Sequence, residues 1–329
     1  MRIVVTAITL TASILTSIVC VASATAQDWP NRNITMVVPF GAGSGTDLLA
    51  RVFAPRLSEL LGQQIVIENM GGAGGMTGSA RVAKAAPDGY TIVLGNIGTH
   101  AQNQTLYKRP LYNAVSDFEP VGLVADLPPV LLTRPDFPAN NLKEFASYTK
   151  ANQAKLQYGS SGAGSAAQLG CSLLNSLLGL TVTHVPYRGA APAMQDLMAS
   201  RIDYQCALLP APLTQIESKQ VKAMAILTRE RSPVLPNLPT ATEQGLKDFD
   251  ASAWHAIYVP KGTAPEIIKK LNEALSQTLD TAAVKERLLQ VGASAIAPDR
   301  RSPDYLKTFM AAEIEKWGAT IRNAHMQLD

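Results

Sequence analysis

The chain has 329 residues, 47% of them hydrophobic and 17% charged, with 29 Lys and Arg against 26 Asp and Glu and a net charge of +3. That length allows two domains with separate cores, and the composition is that of a soluble globular protein. No basic run or aromatic-basic interleaving follows a phosphate backbone, so nucleic acid is excluded as a partner.

Residues 1–26 read as an export signal. Arg2 precedes an uncharged stretch rich in Ile, Val, Leu, Ala and Thr, and Ala24-Thr25-Ala26 offers the small residues a signal peptidase reads. Cleavage after Ala26 makes Gln27 the new N-terminus and leaves a net charge of +2 (3 − 1, for Arg2). An uncleaved anchor is the alternative, because the stretch could span a bilayer. Cys20 as a lipid attachment point is discounted, since Val19 stands where such signals need a small residue. No later stretch is long and apolar enough to cross a membrane, so the mature chain is not expected to insert.

The organising stretch is Ile34 to Arg51, ITMVVPFGAGSGTDLLAR. Its apolar start predicts a strand over 34–38, Pro39 stops it, glycines follow, and Thr46-Asp47 can cap a helix over 46–61. A helix start exposes unpaired N–H groups and positive dipole, and glycines allow close approach, so an anion could be held here without Lys or Arg. A glycine turn used only for geometry is the alternative. The dinucleotide fingerprint fails at Thr46, and a Walker loop fails for want of lysine. Gly71-Gly72-Ala73-Gly74-Gly75 and Gly159 to Ser165 repeat the strand, glycine loop, helix order.

The rhythm continues with a strand over 64–68, a helix over 78–86 and a strand over 91–95, which implies parallel βαβ units. Pro55 breaks the first helix pattern at a cost of about 3 kcal/mol without an evident reason. VGLVADLPPVLLT, with Pro128-Pro129, suggests a crossing into a second domain, where helices are expected over 142–151, 166–178 and 190–199 and strands over 156–158, 181–185, 203–207 and 222–227. A second crossing is expected near 251–259. The domains are therefore 27–126 plus 253–329 for lobe 1 and 127–252 for lobe 2. Thr263-Ala264-Pro265-Glu266 reads as a capping box opening a helix with Ile268, Leu271, Leu275 and Leu279 on one face. Ser302-Pro303 opens a last helix, whose Trp317 reads as core rather than a ligand stacker.

Cys171 and Cys206 remain after the signal is removed, in an oxidising compartment, and are expected to form a disulfide; two buried thiols are the alternative. No His, Cys, Asp or Glu cluster has metal spacing, and no cofactor motif is present. Catalysis finds no constellation either: Ala163 spoils a nucleophile elbow, and His184 reads as a core histidine. His100, at a strand end, is a ligand-contact candidate. The positive pattern is polar loops at the ends of strands in two lobes, which would clamp a small ligand across a cleft.

Six segments in order carry a resemblance: ITMVVPFGAGSGTDLLAR, VIENMGGAGGMTGSARVAKAAPDGYT, GTHAQNQTLY, YGSSGAGSAAQL, VTHVPYRGAAPAMQDLMASRID and VPKGTAPEIIKKLN. Over essentially the whole mature chain the protein resembles the periplasmic solute-binding receptors of tripartite tricarboxylate transporters, the Bug family. The resemblance implies an α/β, two-lobed type II periplasmic-binding (Venus flytrap) fold, each lobe a mixed, mainly parallel sheet flanked by helices. It implies a periplasmic monomer that captures a small organic carboxylate, mono-, di- or aromatic, and delivers it to integral membrane transporter subunits. A receptor that signals to a membrane histidine kinase is the alternative. The grip is expected from backbone amides and side chains of Phe40, Gly43, Ser44, Gly45, Thr46, Gly74, Asn96, Thr99 and His100 in lobe 1. Ser160, Ser161, Ser165, Tyr187 and Asp203 are expected from lobe 2. Gly-Ser-Gly in the first loop, Gln168 and Ser200 depart from the family's common pattern, so the particular ligand is open.

Overall fold

A computed structural model of the chain describes residues 29–247 and 249–323, so the export-signal expectation for 1–26 lies outside the described residues. The first lobe opens with β1 (Ile34–Val38), α1 (Gly45–Leu61), β2 (Ile65–Asn69), α2 (Met76–Ala83), β3 (Thr91–Asn96), a short α3 (Asn103–Leu106) and β4 (Phe118–Leu127). After Pro128 the chain enters the second lobe as β5 (Pro129–Thr133), followed by α4 (Leu142–Asn152), β6 (Gln157–Ser160), α5 (Ala166–Leu177) and β7 (Thr183–Pro186). That lobe ends with α6 (Ala190–Met198), β8 (Tyr204–Leu208), α7 (Leu213–Glu217) and β9 (Lys222–Ile226). It returns as β10 (Ala253–Pro260), then α8 (Pro265–Asp280), α9 (Ala282–Gln290), β11 (Ser294–Ala295) and α10 (Pro303–Asn323).

Two sheets result, β11-β4-β10-β3-β1-β2 and β7-β6-β8-β5-β9. The βαβ rhythm gives parallel pairs where it operates, β1 with β2 and β3, and β6 with β7 and β8. Elsewhere the pairing is antiparallel: β5 and β10, the strands that receive the crossing chain, run opposite to both of their neighbours, and β11 runs opposite to β4. Parallel pairs are therefore not the majority that the sequence rhythm suggested.

Both faces of the first sheet are covered, which is why β1 is an almost continuous apolar run with Ile34, Met36, Val37 and Val38 fully buried. On one face α1 sets Leu49, Phe53 and Leu57 against Leu271, Leu275 and Leu279 of α8. On the other, Met76 and Ala80 of α2 and Leu306, Met310, Trp317 and Ile321 of α10 join one apolar cluster. Trp317 is thus a core residue, and its indole N–H and that of Trp254 both donate to Glu313 Oε2, at 3.2 and 3.0 Å. Among the described residues no helix is long and apolar enough to cross a membrane.

One local expectation needs correction, and one feature gains a reason. The capping box before α8 does not form: Ala264 is the N-cap, and the Thr263 hydroxyl donates instead to the Pro260 carbonyl at 2.7 Å. Pro55 does sit inside α1, and it is exposed, so the Arg51 carbonyl whose helical partner it removes faces water that can replace the lost donor.

In the second lobe Cys171 of α5 and Cys206 of β8 are joined by a disulfide inside the core that contains Tyr158, Tyr204 and Phe145. The bond closes a loop of 35 residues, for which chain entropy gives about 3 to 4 kcal/mol. Replacing both cysteines with alanine should lower the unfolding free energy by about that amount, read by denaturant titration under non-reducing conditions. An unchanged midpoint would show that the bond contributes nothing.

Candidate functional site

Two helices begin at the cleft by the same construction. Ser44 caps α1 and its Oγ accepts the Asp47 amide at 3.3 Å; Ser165 caps α5 and its Oγ accepts the Gln168 amide at 3.2 Å. Each serine satisfies the third amide of its helix, and helical geometry leaves the first two without an acceptor. Those are Gly45 and Thr46 in lobe 1 and Ala166 and Ala167 in lobe 2, and all four line one cavity between the lobes. Ala190, the first residue of α6, lines it too, after a Gly189 that has no side chain to cap the helix. Three positive helix ends therefore line one cavity, an arrangement that favours negative charge.

Phe40 and Asn96 complete the lobe 1 wall, with Ser161, Gln205, Ala207, Leu208 and Ala211 opposite. The cavity measures about 30 Å³, room for about two ordered waters. None of its lining side chains is ionised at neutral pH. The Asn96 carbonyl oxygen accepts the Thr99 amide at 3.2 Å, which leaves its NH2 as a donor.

The first loop is locked from behind. Asp47 Oδ2 accepts the Gly43 amide at 2.9 Å, and its two oxygens also take Arg51 and Asn69. Burial raises the Asp47 pKa, but the bonds from Arg51, Gly43 and Asn69 outweigh it and hold the carboxyl below its ordinary value. Asp47 is therefore the lock of the loop, and the cap expected from Thr46-Asp47 is supplied by Ser44.

Glycines let the lobes touch. A Cβ on Gly74, at φ +61°, would lie 2.4 Å from the Ala163 carbonyl oxygen and 2.5 Å from the Gly164 carbonyl carbon. A Cβ on Gly45 would lie 3.0 Å from the Leu209 carbonyl oxygen. Tyr107 of lobe 1 donates its hydroxyl to the Ala163 carbonyl at 3.0 Å.

Of the expected contacts, Phe40, Ser44, Gly45, Thr46, Asn96 and Ser161 come together at the cavity. The others stand elsewhere. The Gly43 amide is taken by Asp47, and Gly74 serves the contact between lobes. His100 is fully buried and stacks on Tyr258 with ring centroids 3.9 Å apart, beside Phe118, so it belongs to the lobe 1 core; Thr99 packs beneath it with its Oγ1 2.8 Å from His100 Nδ1. Ser160 donates its hydroxyl proton to the Gly162 carbonyl at 3.0 Å, accepts the Gly162 amide at 3.2 Å and pairs with His184 Nε2 at 2.7 Å, and so shapes its own loop. Ser165 acts through its cap. Tyr187 donates to Asp196 at 2.7 Å. Asp203 precedes β8, at the end of that strand away from the cleft, where it accepts from Arg134 Nε and the Gln157 amide. The sequence reading missed Ala166, Ala167, Ala190, Gln205 and the end of β8, because alanine carries no chemical signal and only the fold turns its amide toward the cleft. His255 was missed as well: fully buried on β10, it sits 3.0 Å from Thr46 Oγ1.

Two sheets, two crossings and a cavity between the lobes lined by the first residues of three helices define a two-lobed solute-binding protein. The model of the tripartite tricarboxylate transporter family receptor matches residues 49–326, and the chain belongs to that family. The structure of the periplasmic binding protein BugD is similar, at 39% identity over 91% of this chain and 99% of that one, with a TM-score of 0.86. MatC from Rhodopseudomonas palustris, solved with bound malate, is 40% identical over 89% of this chain and 99% of its own, with a TM-score of 0.85. A second R. palustris protein, solved with adipate, is 34% identical over 91% and 99%, with a TM-score of 0.86. The chain is thus a Bug-family receptor.

Buried histidines set a pH dependence. Burial pushes His100 down to about 3 and His184 and His255 to about 4, with the Ala253 carbonyl opposing the shift at His255. An unfolded histidine titrates at about 6.5, so below that pH the unfolded chain takes up protons the native chain refuses, and stability falls. Asp126 acts oppositely: burial raises it to about 6, so the native state gains a proton as pH falls through that value and is stabilised. With three histidines against one carboxyl, unfolding free energy should drop by about 4 kcal/mol between pH 7 and pH 5. Denaturant midpoints that stay level or rise over that window would contradict the buried neutral rings.

Proposed function

We propose that the chain captures a small organic carboxylate between its lobes, in the periplasm and as a monomer after removal of residues 1–26, and delivers it to integral membrane transporter subunits. The observation that carries this reading is the facing pair of unpaired amides, Gly45 and Thr46 on one lobe and Ala166 and Ala167 on the other. A carboxylate has two oxygens and four lone-pair sites, so it can accept from both lobes at once. Such charge-assisted bonds are worth about 1.5 to 3 kcal/mol each, and two from the second lobe supply most of the roughly 5.5 kcal/mol needed to move a two-state equilibrium from 1:99 to 99:1. The malate and adipate in the two R. palustris relatives fit the same chemistry.

Thermal-shift screening over mono-, di- and aromatic carboxylates should give a ligand whose amide or alcohol analogue gives no shift. Small-angle scattering should then show a smaller radius of gyration on saturation. A ligand that binds without changing the radius, in protein that is open when empty, would defeat the clamp.

Gly74→Ala tests closure directly, since its Cβ meets lobe 2 backbone that has nowhere to go. Affinity for that ligand should fall at least tenfold. Gly62→Ala is the control: its φ of +71° carries similar strain of about 1 kcal/mol, but nothing lies within 4 Å, so it should cost stability and leave affinity alone. Equal affinities in the two variants would reject the role given to Gly74.

A further inference from the structure

The tip of the loop before α5, Ala163 and Gly164, is seated in a recess of lobe 1 away from the cavity. A Cβ on Gly164, at φ +79°, would lie 2.6 Å from Asn103 Oδ1 and 2.8 Å from Tyr107 Cε2. On the lobe 1 side, a Cβ on Gly98 would lie 3.2 Å from the Gly164 carbonyl oxygen, and Gly74 faces Ala163 as described above. The tip and the recess are each shaped within their own lobe. In lobe 2 the Gly164 amide donates to Gln168 Oε1 at 2.7 Å and the Ser165 amide to the Gly162 carbonyl at 3.1 Å. In lobe 1 Asn103 Nδ2 donates to the Gly74 carbonyl at 3.3 Å, and the Tyr107 ring packs on the apolar cluster of α2 and α10.

The Tyr107 hydroxyl then reaches across the boundary to the Ala163 carbonyl at 3.0 Å. Ala163 stands three residues before Ala166, in the loop that also carries Ser161 and the Ser165 cap. A bond that seats Ala163 therefore sets where the free amides of α5 stand over the cavity. Tyr107 does not itself line that cavity, so its contribution does not depend on what fills it.

We infer that Tyr107 is a positioning residue whose hydroxyl latches lobe 2 onto lobe 1, biases the lobes toward closure with or without a ligand, and sets how long a captured ligand is held. This rests on the two-lobed capture reading and on no particular acid. In an open state the hydroxyl and the carbonyl would both be hydrated, so the bond acts on the closed state alone. One neutral bond of this kind shifts the closed-to-open ratio by about three- to tenfold. Where the open state predominates, apparent affinity follows that ratio by the same factor. The change falls on dissociation, because encounter with the open lobes precedes the latch.

Tyr107→Phe keeps the packed ring and removes the hydroxyl. With labelled malate and labelled adipate as separate probes at pH 7.5, dissociation followed by rapid filtration should be about three- to tenfold faster than in the wild type, with association within about twofold. Gly164→Ala keeps the tip from seating, so in that background Tyr107→Phe should change affinity, read by calorimetry, by less than about twofold. A tyrosine that serves only the packing of lobe 1 would cost the same factor in both backgrounds, and that result, or unchanged dissociation in the wild-type background, would overturn the latch. The empty protein supplies a readout that needs no acid. Spin labels on cysteines at the exposed positions Lys84 in lobe 1 and Lys155 in lobe 2 should stand farther apart on average in Tyr107→Phe than with Tyr107 intact. If neither probe binds, the label distance decides the latch by itself while the carboxylate reading is what suffers; an unchanged distance would overturn the latch. If Gly164→Ala does not fold, the dissociation rates and the label distances still decide.

Discussion

Everything at this cleft depends on four backbone N–H groups that the helices cannot satisfy. A helix start always leaves such donors, but Ser44 and Ser165 regulate how many remain by taking one amide each. The two helices then present the same pair of donors from opposite sides, each after the same Gly-Ala-Gly-Ser sequence at 41–44 and 162–165. Backbone donors hold their direction without cost in side-chain entropy, so the site is preorganised before any ligand arrives. The absence of ionised lining groups fits this: a lysine or arginine would neutralise a carboxylate but would have to be desolvated, whereas amide dipoles are already in place.

The glycines serve two purposes that look alike in sequence. Gly43 makes the turn, at φ +77°, and its amide is held by Asp47. Gly74 has no such task for the ligand; it is glycine because lobe 2 backbone arrives where its side chain would be. Asp47, tied to Arg51 and Asn69, is the piece that makes the first loop rigid, and it is hidden beneath the loop.

Much of this was legible before any coordinates. The strand at 34–38, the crossing at Pro128 and the glycine loops before α1 and α5 follow from apolar runs, proline and glycine, all of which act over a few residues, while the capping serines did not. Resemblance to a known family supplied the rest of the architecture. What stayed hidden depends on long-range placement. His100 looked like a contact because it follows a strand end, yet the aromatic residues Tyr112, Phe118 and Tyr258, all distant in sequence, enclose it. Asp203 stands just before a strand whose far end lines the cavity, a distinction that local pattern cannot make. Alanines 166, 167 and 190 act through amides that every residue possesses.

The position of β10 governs the order in which the molecule can be completed. It lies between β3 and β4 in the middle of the first sheet, yet it comes from residues 253–260, after the whole of the second lobe. A chain emerging from its N-terminus therefore carries β1 to β4 as an open sheet with a missing central strand while residues 129–226 already contain every strand of the second sheet. The later lobe in sequence can close first, disulfide included, and the earlier one must wait for the chain to come back. An exposed gap flanked by β3 and β4 is a place where another extended segment could pair, so chain order makes the first lobe the part of the nascent molecule most in need of protection from edge pairing.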